Sequence, residues 1–267
     1  MALFISDIDG TLLNPERTIS PTTESAIRRV IADGHQFVLC SSRPPTSMRI
    51  LEDIYGGKRV PLIAYNGGLV LNSQGEVVLD VPVDPASARQ IFDASTDLNL
   101  HASFYSGKNV FAWADDYWSQ REANNTMVHP NAEPASYYAE SGLIDEAPPH
   151  KIMSMGEAHL IDEIENLLAT NNTVVTYRAK DTYLEIANST ASKGDGVTMA
   201  AAELGIDLGD VHFFGDNYND LSAFAVAGVS IAVANAREEV LAAADVVTDS
   251  NHDDGVANYL NNWLAST

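Results

Sequence analysis

Cysteine is nearly absent from this chain. Cys40 is its only one, which excludes an internal disulfide and a zinc site built from cysteines. Basic residues are scarce as well. Lys+Arg total 15 against 37 Asp+Glu in 267 residues, a formal net charge of -22. A protein that grips nucleic acid by its phosphates needs a basic face, and so does one that docks on an anionic membrane; both partners are excluded on this ground. Apolar runs are short, and none approaches the ~20 residues of a membrane span. The opening Met-Ala-Leu-Phe-Ile-Ser-Asp lacks the basic leader and small-residue cleavage site of a signal peptide. The expectation is a soluble, cytoplasmic protein in a reducing compartment. Its apolar share, 45%, is that of a globular chain rather than a disordered one, and its length accommodates one large domain or two modest ones.

Strand and helix signals alternate at both ends. Ala2–Ile5, Gln36–Cys40 and Pro61–Tyr65 are short apolar runs that read as buried strands, and Val211–Phe214, Val229–Val233 and Asp245–Val247 continue the series. Between them, Ser20-Pro21 is an N-cap followed by proline at the first helical position, Ala26, Ile27, Val30 and Ile31 repeat at helical spacing, and Gly34 stops the helix. Further helices are predicted over Lys193–Leu204, Leu221–Ala227, Arg237–Ala244 and Val256–Leu264. Near-continuous apolar strands separated by helices indicate an α/β fold with a doubly wound parallel sheet. The middle reads differently. Leu69–Val83 suggests a hairpin turning at Ser73-Gln74-Gly75, and Asp84-Pro85 opens a helix. Strand-like pieces at His101–Tyr105, Val110–Trp113, Ile152–Met155, Val174–Tyr177 and Tyr183–Ile186 surround an amphipathic helix marked by Leu160, Ile161, Ile164, Leu167 and Leu168. This predicts an α+β domain inserted at 82–185, with the core formed by 1–81 and 186–267.

Ligands of open α/β sheets bind beyond the carboxyl ends of the strands, and the informative residues concentrate there. The first strand ends in Asp7-Ile8-Asp9-Gly10-Thr11. Two residues apart on an extended chain, Asp7 and Asp9 are expected to project to one side. Carboxylates so paired call for a divalent cation, an elevated pKa, or both. The second strand ends in Cys40-Ser41-Ser42-Arg43, where hydroxyl, backbone N–H groups and guanidinium suit an anion. Lys193-Gly194 places a cation at a helix N-terminus, against the usual dipole preference; a shared anion would explain it. Phe214-Gly215-Asp216-Asn217-Tyr218-Asn219-Asp220 supplies hard oxygen ligands of the kind Mg²⁺ takes. Each piece also has an ordinary reading: turn residues after a strand, a solvated lysine, N-caps from Asp or Asn. Their convergence on one sheet edge favours chemistry. Cys40 reads as a small buried apolar residue. The aromatics Tyr105, Trp113, Tyr117 and Trp118 of the insert read first as its core, with a substrate-contacting face as the alternative.

The ordered set D-x-D-G-T (Asp7–Thr11), Ser41–Arg43, an insert, Lys193-Gly194 and G-D-x-x-N-D (Gly215–Asp220) resembles the haloacid dehalogenase superfamily, specifically its Cof-type phosphatases, over the whole chain. Ser42 departs from the family pattern, which usually has glycine there. The resemblance implies a Mg²⁺-dependent phosphatase of small phosphorylated metabolites, sugar phosphates or similar monoesters. By the same resemblance Asp7 is the nucleophile that forms an aspartyl-phosphate, and Asp9 is the general acid and then the base. Mg²⁺ would sit on Asp7, the backbone carbonyl of Asp9 and Asp216, with Asp220 close by. Ser41, Lys193 and Asn219, with N–H groups near Ile8 and Ser42, would hold the phosphoryl oxygens, and Arg43 would contact substrate. A sugar phosphomutase of the same superfamily and a non-catalytic phosphometabolite-binding protein remain alternatives.

Overall fold

Residues 1–266 are described by a computed structural model, Ala179 by its backbone alone. The chain begins with β1 (Leu3–Ser6), α1 (Pro21–Ala32), β2 (Gln36–Cys40), α2 (Pro45–Tyr55) and β3 (Leu62–Ala64), then turns back through β4 (Leu69–Leu71) and β5 (Val77–Asp80). The middle comprises α3 (Pro85–Leu98), β6 (His101–Ser106), β7 (Asn109–Phe111), α4 (Tyr117–Thr126), α5 (Ala135–Glu140), α6 (Leu143–Glu146), β8 (Lys151–Met155), α7 (Ala158–Leu168), β9 (Val174–Lys180) and β10 (Tyr183–Asn188). The last part carries α8 (Lys193–Leu204), β11 (Val211–Gly215), α9 (Leu221–Phe224), β12 (Val229–Val233), α10 (Glu238–Ala243), β13 (Val246–Thr248) and α11 (Gly255–Ser266). Two compact units result: one holds Met1–Arg43, Met48–Asp80 and the chain from Ser192 onward, the other Val81–Ala191 together with Pro44–Ser47. The expected return to the core at 186 falls inside β10, which carries the second unit on to Ala191.

Alternation along β1 sets the layers of the first unit. Leu3 and Ile5 join Val38, Cys40, Val211 and Phe213 against Val197 and Ala200 of α8, Phe224 of α9 and Val240 of α10. Phe4 points the other way, edge-on to Trp263 of α11 with ring centroids 5.1 Å apart and stacked on His212 at 4.9 Å. Phe37 meets Tyr55 of α2 on that same side at 5.5 Å. Helices on both faces are why these strands are apolar throughout. Each fully buried Val, Leu, Ile or Phe contributes about 1.5–3 kcal/mol, so the central strands are firm supports for whatever their ends carry. The sheet order is β13-β12-β11-β1-β2-β3-β4-β5, parallel from β13 through β3. The expected parallel α/β core is therefore present, extended by the antiparallel β4 and β5 at one side. As predicted, Ser20 caps α1 by accepting from the Thr23 N–H at 3.0 Å, and α8 stops at Gly205, which has a left-handed backbone.

The second unit has an antiparallel sheet in the order β7-β6-β8-β10-β9. Ala102, Phe104, Ile152, Leu184 and Ile186 form one face of it and pack with Ile91 of α3 and Ile161 and Ile164 of α7. The helices α2, α4, α5 and α6 were not read from sequence. The segment forming α4, Tyr-Trp-Ser-Gln-Arg-Glu-Ala-Asn-Asn-Thr, has weak helix formers and no broad apolar stripe. It is held by a capping box, in which Asp116 accepts from the Trp118 and Ser119 N–H groups and the Ser119 hydroxyl accepts from the Asp116 N–H. The third strand is shorter than predicted because Tyr65 and Asn66 both take positive φ, 52° and 56°, which ends the extended run. The predicted helix Leu221–Ala227 is a single α-turn, Leu221–Phe224.

Candidate active site

The strands β11, β1 and β2 are adjacent and parallel, so Asp216, Asp7 and Ser41 leave the sheet side by side at one edge. Asp7 extends the ladder by one residue, its N–H donating to the Phe214 carbonyl at 2.9 Å. Its carboxylate then meets the ammonium of Lys193: Nζ donates to Asp7 Oδ1 at 2.8 Å and to Asp220 Oδ1 at 2.6 Å. Lys193 is 1% exposed, so the reading of it as a solvated surface lysine is excluded. The other oxygen of Asp220 accepts from the backbone N–H groups of Asp216 and Asn217, each at 2.9 Å. Asp220 thus braces the turn after β11 and anchors the lysine together. Asp216 accepts from the Thr11 hydroxyl at 2.8 Å, which ties the second position of Gly215–Asp220 to the end of the D-x-D-G-T run. Gly10 is required between them. Its φ is 88°, and a Cβ there would lie 2.5 Å from Asp216 Oδ2. Asn217 does only the capping its type suggests, accepting from the Tyr218 N–H at 2.9 Å.

Asp9 differs from the expectation. The extended backbone does not continue past Asp7: one irregular helical turn, Ile8–Leu12, begins at once, with Asp9 at φ -82°, ψ 117°. Consequently the neighbours of the Asp7 carboxylate are Lys193, Asp220 and Asp216, while Asp9 faces two arginines. Arg43 Nε and Nη2 donate to the two Asp9 oxygens at 2.7 and 2.8 Å, a fork on a carboxylate, and Arg17 Nη2 adds a third contact at 3.1 Å. The carboxylates gathered within a few ångströms of one another are Asp7, Asp216 and Asp220. Arg17 was missed from sequence. It lies outside every motif, in the turn whose Asn14 carbonyl accepts from its N–H at 2.8 Å.

Ser41 is buried and its hydroxyl accepts from the Arg43 N–H at 3.3 Å. Ser42 takes no positive φ, so the departure from glycine leaves the turn unstrained. Ile8 is fully buried beside Asp7. Asn219 donates through Nδ2 to Asn66 Oδ1 at 2.9 Å, while its own buried Oδ1 has no hydrogen-bond partner among the described residues. Asn66 is a second residue that sequence reading passed over. Its signal was the Tyr65-Asn66-Gly67-Gly68 string directly after a strand, which reads as an ordinary turn. Cys40 is buried as expected, and burial pushes its thiol up, leaving it un-ionised.

Electrostatics show what the cluster needs. Burial pushes the Asp7 carboxyl well above the usual range; Lys193 opposes this, while Asp220 and Asp216 add to it. Burial also raises Asp216, to about 6. Burial alone would depress Lys193, but the Asp220 and Asp7 carboxylates outweigh it and hold the ammonium above its ordinary value. Oxygens of Asp7, Asp216 and Asp220 lie within 4.8 Å of one another. Three carboxylates share one lysine, an excess of negative charge in a desolvated place. A hard divalent cation with oxygen preference, such as Mg²⁺, fits both the donor set and the charge. Among the described residues, no helix is long and apolar enough to cross a membrane.

Comparison with known proteins gives the family. Residues 4–260 match the family of haloacid dehalogenase-like hydrolases. A Haemophilus influenzae protein named "Putative phosphatase" is 33% identical over 260 residues, covering 94% of either chain. A Bacillus subtilis protein, "Putative phosphatase YxeH", is 34% identical over 276 residues, covering 96% of this chain and 95% of its own. The crystal structure of a haloacid dehalogenase-like hydrolase from Bacteroides thetaiotaomicron superimposes with a TM-score of 0.88 at 25% identity, over 98% of this chain and 99% of that one. With its carboxylate cluster at the carboxyl edge of a parallel sheet, this chain belongs to the haloacid dehalogenase-like hydrolase family.

Proposed function

We propose that this chain is a Mg²⁺-dependent phosphatase that hydrolyses small phosphorylated metabolites, sugar phosphates or similar monoesters, through an aspartyl-phosphate on Asp7. The observation that carries the reading is the fully buried Lys193 held between Asp7 and Asp220. An ammonium so placed favours the ionised form of a buried carboxylate against the pull of burial and, when a phosphate arrives, faces the anion's oxygens. Asp7 Oδ attacks phosphorus as the bond to the leaving alcohol breaks, and Asp9 gives that oxygen a proton. Water then attacks the acyl-phosphate, Asp9 takes the water's proton, and Asp7 is released with inorganic phosphate. To do so Asp9 leaves its arginine fork and takes up a proton first; its side chain is 42% exposed, within reach of solvent. Ser41, Lys193 and Asn219, with the N–H groups of Ile8 and Ser42, hold the phosphoryl oxygens, and Arg43 contacts the substrate once Asp9 has moved. Asp7, Asp216 and the backbone carbonyl of Asp9 would hold the metal, with Asp220 behind them. When bound, the metal neutralises charge that would otherwise repel the phosphate from the carboxylates.

Phosphoryl transfer is mainly positioning and charge stabilisation, and this edge concentrates both. At physiological salt the screening length is ~8 Å, so the local lysine and metal outweigh the acidic surface behind a net charge of -22. The same surface supports a partner list without nucleic acid or anionic membrane, and the lone buried Cys40 supports a reducing, cytoplasmic location. The decisive experiment is Asp7→Asn assayed with p-nitrophenyl phosphate and by phosphate release from hexose phosphates. Turnover is expected to fall at least about 10⁴-fold, with circular dichroism unchanged. Substantial residual activity would remove Asp7 as nucleophile.

A further inference from the structure

The loop Tyr65–Gly68 enters none of the chemistry above, yet it touches three of the segments assigned to phosphate. At its first contact, the Asn66 N–H donates to the Ser41 carbonyl at 2.9 Å, beside the hydroxyl at the end of β2. At its second, Gly67 (φ 89°) lies against the start of α8: a Cβ there would collide with the Ser192 carbonyl, the residue directly before Lys193. Its third contact is the amide pair, Asn219 Nδ2 to Asn66 Oδ1 at 2.9 Å. Asn66 is 6% exposed and holds a left-handed backbone (φ 56°, ψ 31°) next to a second left-handed residue, Tyr65. Two consecutive non-glycine residues in that region are costly, and such strain persists only where surrounding contacts over-determine it.

An asparagine amide can rotate about its last bond, and presents either two donors or an acceptor to whatever faces it. Asn219 has one Nδ2 hydrogen engaged by Asn66, while its buried Oδ1 has no partner among the described residues. Any rotation that frees Nδ2 breaks the one hydrogen bond the Asn219 side chain makes. The second Nδ2 hydrogen is thereby given a fixed direction. We propose that Asn66 is a positioning residue of the phosphate site: by accepting from Asn219 it sets the rotation of that amide, and through its loop it sets Asn219 in register with Ser41 and Lys193. This rests on Asn219 holding phosphate, as proposed above.

The test is a double-mutant cycle of Asn66→Gly and Asn219→Ala, read by kcat/KM on p-nitrophenyl phosphate, by competitive inhibition with inorganic phosphate, and by thermal unfolding. Glycine adopts the left-handed backbone without strain, so Asn66→Gly is expected to fold, with at most a small drop in midpoint from the lost amide hydrogen bond. Its kcat/KM should fall about 10-fold, and phosphate should inhibit more weakly by a similar factor. In the Asn219→Ala background the same substitution should change neither quantity, because the amide it aims is gone. Equal effects of Asn66→Gly in the two backgrounds would overturn the proposal while leaving Asn219 in the phosphate site. An Asn219→Ala variant with unaltered phosphate inhibition would overturn both the assignment of Asn219 and the proposal built on it. A lowered unfolding midpoint with unchanged phosphate inhibition would reduce Asn66 to a structural residue and also overturn the proposal.

Discussion

Asp7 and Asp9 stand two residues apart and live in opposite surroundings. Asp7 is 6% exposed and shares the buried Lys193 with Asp220. Asp9 has a side chain 42% exposed and lies in the fork of Arg43 with Arg17 alongside. Asp9 lies inside the irregular turn that begins directly after Asp7, and that turn gives the two carboxylates different neighbours. The difference fits the two tasks proposed for them. A nucleophile gains from fixed position and from a cation it cannot escape. A residue that must meet a leaving group and then a water needs access to solvent, and the Asp9 side chain has it although its partner Arg43 is only 4% exposed.

Removing the buried cation should break the comparison most visibly. Lys193→Met leaves Asp7 and Asp220 uncompensated in a desolvated place and should destabilise the protein by about 3–5 kcal/mol in urea unfolding. A loss below about 1 kcal/mol would mean that the cluster is far less dependent on its lysine than its burial implies. Asp9→Asn should do the reverse. Stability should fall less than for Lys193→Met, by about 1–3 kcal/mol, since the buried Arg43 loses a charged partner while Asp9 itself is partly solvated, and turnover of an alkyl phosphate should fall about 10²–10⁴-fold. A much smaller loss with p-nitrophenyl phosphate, whose leaving group needs little proton assistance, is part of that expectation. Equal losses on the two esters would take the acid role from Asp9.

The smallest effect sharpens the electrostatic side. In metal-free buffer, Asp216 has its native pKa raised by burial from 3.8 to about 6, and Asp7 shifts in the same direction. The native state therefore binds more protons than the unfolded chain across that interval. Their stabilising contribution is complete below about pH 4 and is lost as pH rises through about 6. Asp216→Asn should flatten the fall in unfolding midpoint between pH 4 and 6 relative to the unsubstituted protein, and Mg²⁺ should raise the midpoint of the latter above pH 6. A slope unchanged by the substitution would show that Asp216 does not titrate there.

Much of this site is legible in the sequence because each part is a short string at the end of a strand or the start of a helix. Asp7, Ser41, Lys193, Asp216 and Asp220 are found that way, and the parallel sheet brings the strings together. What escaped depends on long-range partners. Asn66 is a plain turn residue until Asn219, 153 positions on, is placed against it. Arg17 belongs to no motif, and only the turn after Asp7 directs Asp9 toward it and Arg43. The helix α4 was missed for a related reason: its stability comes from the Asp116 capping box rather than from an apolar stripe.

By itself the sequence determined the alternation of apolar strands and helices, and hence a sheet covered on both faces with its chemistry at the carboxyl edge, because local periodicity and side-chain type suffice for that. Only tertiary structure decided which carboxylates share a charge problem. Repulsion, desolvation and ion pairing depend on distances of a few ångströms between residues far apart in the chain, and here they grouped Asp7 with Asp216, Asp220 and Lys193 and sent Asp9 to the arginines.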